Sequence, residues 1–110
     1  MSSKKTKGMF VFTTVTKKAD ATKITKALLS KKLAACVTTL PQGESHYVWK
    51  GKLCVEKEYV LLIKTMASAF EKLRRALEEV HPYDCPEIVG VEMEKLSKSY
   101  GDWLKGNVKE

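Results

Sequence analysis

Hydrophobic positions recur with two periods along this chain, and the switches between them mark its elements. Met9-Phe10-Val11-Phe12-Thr13-Thr14-Val15-Thr16 is dense in β-branched and aromatic residues and predicts a first strand. Asp20 then stands as an N-cap, and Ala21, Ile24 and Leu28 follow at helical spacing. Lys23, Lys26, Lys31 and Lys32 fall largely off that stripe, so a helix is predicted from about Asp20 to Lys32. Ala34 to Leu40 reads as a second strand, closed by a turn at Pro41-Gln42-Gly43. Ser45 to Lys50 is a third short strand ending at a Gly51-Lys52 turn. From Leu53 to Met66 runs a long strand whose Val60-Leu61-Leu62-Ile63 is too continuous to be exposed on either face.

Ser68-Ala69-Phe70-Glu71 has the form of a capping box, and Phe70, Leu73, Leu77 and Val80 make one apolar helical face behind it. That helix must stop at His81, because Pro82 has no amide hydrogen and restricts the residue before it. Ile88 to Met93 is of strand type, and Ser99 to Lys105 is expected to form a short terminal helix carrying Tyr100, Trp103 and Leu104. With right-handed crossovers, this order predicts an α+β fold: a ferredoxin-like βαββαβ sandwich with an extended β-hairpin and a short C-terminal helix. A hairpin from Val37 to Met66 is long for so small a domain and leaves unpaired strand edges. With Tyr47 and Trp49 near its tip, it points to self-association.

Length and charge refine this outline. The 110 residues suit a single domain, placed at residues 9–110, behind a flexible basic tail at residues 1–8. Residues 1–33 carry a net charge of +8 and the remainder −1, so the basic excess belongs to the tail and the first helix. The simplest reading is a solvated lysine face. An RNA-binding sheet ranks last, because the paired aromatic residues of an RNA-recognition sheet are missing. No apolar run approaches the roughly 20 residues needed to span a bilayer. Cys36, Cys54 and Cys85 are odd in number and contain no C-x-x-C pair, which argues against a disulfide framework or zinc ribbon and for the cytoplasm.

Chemistry concentrates in His81-Pro82-Tyr83-Asp84-Cys85-Pro86-Glu87, a connector stiffened by two prolines that displays an imidazole, a phenol, a thiol and two carboxylates. His81, Asp84, Cys85 and Glu87 are the candidate metal ligands, with Cys85 the soft donor. Cys36, within an apolar strand, reads as a small buried residue. Trp49, Glu58, Lys64 and Tyr83 suggest a second site, a cleft between subunits for an anionic or small polar ligand, with an interface salt bridge as the competing reading. Glu58 and Lys64 share one side of a strand but lie about 20 Å apart, so they cannot pair. There is no nucleophile–base pair, Gly-rich phosphate loop or H-E-x-x-H pattern, and His46 stands alone, so no enzyme is expected.

Lys32-Leu33-Ala34-Ala35-Cys36-Val37, Pro41, Tyr47, Trp49-Lys50-Gly51-Lys52, Glu58, Lys64-Thr65 and the connector through Ile88 together resemble the CutA divalent-cation tolerance family, from Met9 to about Leu104. The resemblance implies a ferredoxin-like protomer in a tight homotrimer joined by strand pairing between hairpins. It also implies a role in tolerance of copper and other divalent cations, with a trimer like that of PII regulatory proteins. Some bacterial members carry copper on a cysteine at the end of the first strand and two adjacent histidines before the proline. Here those positions fall at Thr13 and at Val80-His81, so one of three ligands remains and only weak binding of copper or another divalent cation is expected.

Overall fold

Strand pairing sets the architecture. The computed structural model describes residues 7–109, in the order β1 (Gly8–Val15), α1 (Lys18–Ser30), β2 (Cys36–Trp49), β3 (Lys52–Met66), α2 (Phe70–Val80), β4 (Val89–Glu92) and α3 (Lys98–Gly106). The four strands form one antiparallel sheet in the order β2-β3-β1-β4, which is the ferredoxin-like arrangement expected. Most of the expected basic tail, residues 1–6, lies outside the described residues. Gly8 already belongs to β1, where a Cβ would come within 2.8 Å of Met93 Sδ and 2.9 Å of Leu104 Cδ2.

Alternation along β1 and β3 assigns the two sheet faces. Val11, Val15, Leu61 and Ile63 point to the helix layer, where Ile24, Leu28, Leu73 and Leu77 meet them fully buried. Each such side chain contributes about 1.5–3 kcal/mol of burial. Phe10, Phe12, Val60 and Leu62 share the opposite face with their cross-strand partners Leu40, Val89 and Val91. On that face α3 covers one end through Met66, Met93, Leu104 and Val108. Leu40, Val89 and Val91 remain 44–49% exposed.

Several boundaries differ from expectation for identifiable reasons. α1 starts at Lys18 with Lys17 as the extended N-cap residue, and Asp20 sits in the first turn, where its carboxylate still suits the helix dipole. Pro41-Gln42-Gly43 is not a turn. β2 runs on to Trp49, with Leu40 opposite Val60 and Gly43 opposite Glu58, so one extra residue is accommodated as a bulge. Pro41 has no amide to offer the ladder, and an edge strand with a bulge tolerates it. The hairpin turn is Lys50-Gly51 rather than Gly51-Lys52, with φ of 51° and 78°, the pattern of a type I′ turn. The capping box does not form. The chain enters α2 through a 3₁₀ turn at Ala67–Ala69 directly after β3, so Ser68 is not an extended cap and its buried hydroxyl finds no partner. β4 is shorter than expected. α3 instead has a true cap, with Ser97 Oγ accepting from Tyr100 N.

β1 ends opposite Tyr59, so from Gly43 to Glu58 the hairpin is a two-stranded arm projecting past the sheet. The molecule measures 47 × 25 × 23 Å as a result. The arm carries apolar groups on both faces: Tyr47 and Trp49 on one, and Val48, Leu53 and Val55, at 50–71% exposure, on the other. A lone two-stranded ribbon of this kind is marginal in water.

α1 ends in a Schellman arrangement. Leu33 N–H donates to Leu28 O and Lys32 N–H to Leu29 O, which places Lys32 in the left-handed region at φ 56°. A lysine there holds a conformation that glycine adopts without a Cβ clash. Lys32→Gly is therefore expected to stabilise the fold by about 0.5–1 kcal/mol, read from denaturant midpoints.

Candidate functional site

The connector from His81 to Glu87 passes the end of β1, where His81 reaches Thr13 and Tyr83 reaches Glu58. His81, the C-cap of α2, is buried on the helix side. Its Nδ1 accepts from Tyr83 N–H at 3.2 Å, so the neutral ring carries its proton on Nε2, which donates to Thr13 Oγ1 at 2.9 Å. Protonating Nδ1 would set two donors against each other. Burial, the largest influence, holds the His81 pKa below its ordinary value of 6.5, against the pull of the Thr14 backbone, Asp20 and Glu58. The unfolded chain thus takes up a proton before the folded one does. Stability is full above about pH 6.5 and falls as the pH drops below it. His81→Gln is expected to flatten that acid limb in melting curves recorded across the interval.

Two residues on, the chain reaches the helix-free face. The Tyr83 hydroxyl donates to Glu58 Oε2 in a short hydrogen bond, and Glu58 is only 5% exposed. Burial first, and then the bond to Glu58, push the Tyr83 phenol well above its usual range, so it stays a neutral donor. The His81 and Tyr83 rings meet edge to face at 4.8 Å, which joins the two halves of the connector.

Around this pair lies a cleft of about 780 Å³, bounded by the end of β1, the root of the arm and the connector. Its walls include Thr14, Thr16, Ser45, His46, Tyr47 and Trp49, with Glu56, Glu58, Asp84 and Glu87 supplying carboxylates and Cys85 a thiol. Among the described residues, no lysine or arginine lines it. The Tyr47 phenol is pushed up by desolvation and then by Cys54, Glu56 and Glu58, as expected beside so many anionic groups.

The structure thus brings Trp49, Glu58, Tyr83, Asp84, Cys85 and Glu87 to one cleft, merging what the sequence suggested as two sites. Lys64 is not among them. Its Nζ donates to Thr38 Oγ1 at 2.6 Å and lies 3.7 Å from Cys36 Sγ, well up the sheet. Without it, an anionic ligand meets no lysine or arginine among the described residues of the cleft walls. His81 is also set apart, because both ring nitrogens are engaged and the ring acts as a post for the connector. Thr13 and His81 do touch, but through a hydrogen bond. Among the described residues, no three His, Cys, Asp or Glu side chains converge closely enough to enclose one ion. Glu56 was missed in the sequence, although a carboxylate two residues from Glu58 on a strand faces the same way. Tyr47 joins the same side only because the bulge adds a residue before it.

Comparison with known proteins places this geometry in context. The profile described as CutA1 divalent ion tolerance protein matches residues 9–107. The chain is 40% identical over 97 residues to the divalent-cation tolerance protein CutA of Thermus thermophilus, covering 88% of this chain and 94% of the relative. It is 35% identical over 108 residues to protein CutA, chloroplastic, of Arabidopsis thaliana, covering 98% of this chain and 59% of the relative. The crystal structure of CutA1 from Oryza sativa superposes with a TM-score of 0.92 at 33% identity, covering 98% of this chain and 99% of that one.

Proposed function

Because the chain belongs to the CutA1 divalent ion tolerance family, we propose that it acts in divalent-cation tolerance as a homotrimer that binds cations modestly in the acid-lined cleft. The observation that carries this reading is the composition of the cleft: four carboxylates, a thiol, hydroxyls and the His46 imidazole, with no lysine or arginine among the described residues to oppose a cation. Asp84 and Glu87 stand at the exposed rim, while Glu58 is fixed by Tyr83 at the base. In one chain these groups offer one or two direct ligands, with water or a neighbouring subunit completing the shell. Affinity is modest for that reason. Cys85 is the one soft donor and the route by which copper competes with harder ions. His81 contributes by positioning the connector.

The trimer is supported by the exposed apolar face of the sheet and by an arm apolar on both sides. Sedimentation at micromolar concentration is expected to give three chains of 12.4 kDa each, and a single chain would refute the assembly. The role is binding rather than catalytic. The cytosol suits three unpaired cysteines, and no helix among the described residues is long and apolar enough to cross a membrane. Titration calorimetry with Cu²⁺ and Zn²⁺ under reducing conditions tests the binding directly: saturable heat is expected, and its absence would remove the cleft as a cation site. A second reading, a PII-like scaffold holding a small ligand or partner protein between subunits, draws support from Tyr47 and Trp49, which are 41% and 47% exposed at the cleft wall. A thermal-shift screen of small metabolites separates the two.

A further inference from the structure

The helix layer, on the other face of the sheet, carries a second depression, of about 360 Å³ and opposite electrical character. Three separate parts of the chain build it. Lys31 comes from the end of α1; Lys72, Arg75 and Glu79 come from one stripe of α2; and Lys109 comes from the C-terminal segment. Leu33 and Ala76, each 7% exposed, form its floor. The arrangement is held by backbone: the Schellman turn fixes Lys31 and Lys32, and Lys109 N–H donates to Lys32 O at 2.8 Å. Val108, buried beside it, anchors the same segment.

Charge pairing on α2 shows which cations are committed elsewhere. Arg74 is held by Glu71 at 2.9 Å and by Glu78 at 2.8 Å. Among the described residues, none of the four cations around the depression forms an ion pair, and Glu79 is the only carboxylate in its lining. Lysines scattered over a solvated face need no ligand. Four unpaired cations from three chain segments around an apolar floor leave a concentrated positive potential next to a surface that accepts carbon.

We propose that this depression binds a small phosphorylated ligand. Arg75 supplies the planar fork that matches phosphate oxygens, and Lys31, Lys72 and Lys109 surround them as point charges. The carbon skeleton rests on Leu33 and Ala76, and Glu79 accepts from a hydroxyl or amino group on it. A small depression with its cations grouped around one floor suits a compact anion better than an extended backbone, which needs a continuous stripe of charge. The site is independent of the cation cleft, shares no residue with it and stands or falls alone.

Phosphorus NMR and calorimetry on the intact chain at physiological salt test it, with inorganic pyrophosphate as the probe and a short DNA duplex as the second arm. Saturable binding of one pyrophosphate per chain is expected. Lys72→Ala with Arg75→Ala should weaken it by about tenfold or more, and Arg75→Lys, which keeps the charge but loses the fork, by about threefold. Lys23→Ala with Lys26→Ala, equally basic positions outside the depression, should leave it unchanged. All these side chains are exposed, so the variants should melt like the parent. Absence of saturation, equal weakening by the two double variants, or binding of the duplex without pyrophosphate would each overturn the proposal.

Discussion

Leu62→Glu is expected to convert the proposed trimer to single chains at micromolar concentration while leaving the single chain folded. Leu62 pairs with Phe12 in the middle of the sheet face opposite α1 and α2, beyond the end that α3 covers, flanked by Phe10, Val60 and Val91. In a lone chain Leu62 is only half-buried, so a glutamate there can turn its carboxylate to water at modest cost. In an assembly that buries the face, every copy would carry an unpaired carboxylate out of water, at several kilocalories per mole each. Three such charges brought together weaken association by about a thousandfold or more. Light scattering on the variant and parent at matched concentration reads the result. A variant that still forms trimers would show that this face is not the contact.

Glu58→Gln carries the second large effect, on cation affinity. The amide is isosteric and its oxygen still accepts from Tyr83, so the connector keeps its place and the melting temperature should hardly move. The negative charge at the base of the cleft is lost, however. At the effective dielectric of a partly enclosed site, one carboxylate beside a divalent ion is worth more than 1 kcal/mol, so affinity should fall by about tenfold. Glu58→Leu separates the two roles. It also strands the phenol, which costs about 1–3 kcal/mol of stability for a buried donor without a partner. Calorimetric titration beside thermal melts distinguishes them, and equal affinity for parent and Glu58→Gln would take Glu58 out of the site.

The connector was legible in the sequence because proline punctuation is local: Pro82 stops α2 where expected, and the groups between the prolines do reach one cleft. The strand order was legible for a similar reason, since each strand is dense in β-branched or aromatic residues. What could not be read depended on partners far along the chain. His81 carries the same label whether it is a ligand or a hydrogen-bonded post, and only its contact with Thr13, 68 residues away, decides between them. The bulge between Leu40 and Gly43 changes which side chains of the arm share a face with Glu58, so alternation counted from Ala34 puts Tyr47 on the wrong side. Lys64 has the charge expected of a cleft residue, whereas the register places it opposite Cys36. Ser68 shows the limit of a motif: its spacing to Glu71 is right, but the extended residue is Met66, ahead of the 3₁₀ turn, and Ser68 lies inside that turn rather than at the cap.

Anomalous diffraction at the zinc edge, on crystals grown with Zn²⁺ and reductant, addresses the cation cleft most directly. The predicted result is a peak between the connector and the root of the arm, within coordinating distance of Glu58, Asp84 or Glu87 or of their bound water, and absent from crystals of Glu58→Gln. A map with zinc only at other surface positions, or with none while calorimetry records saturable heat, would contradict it.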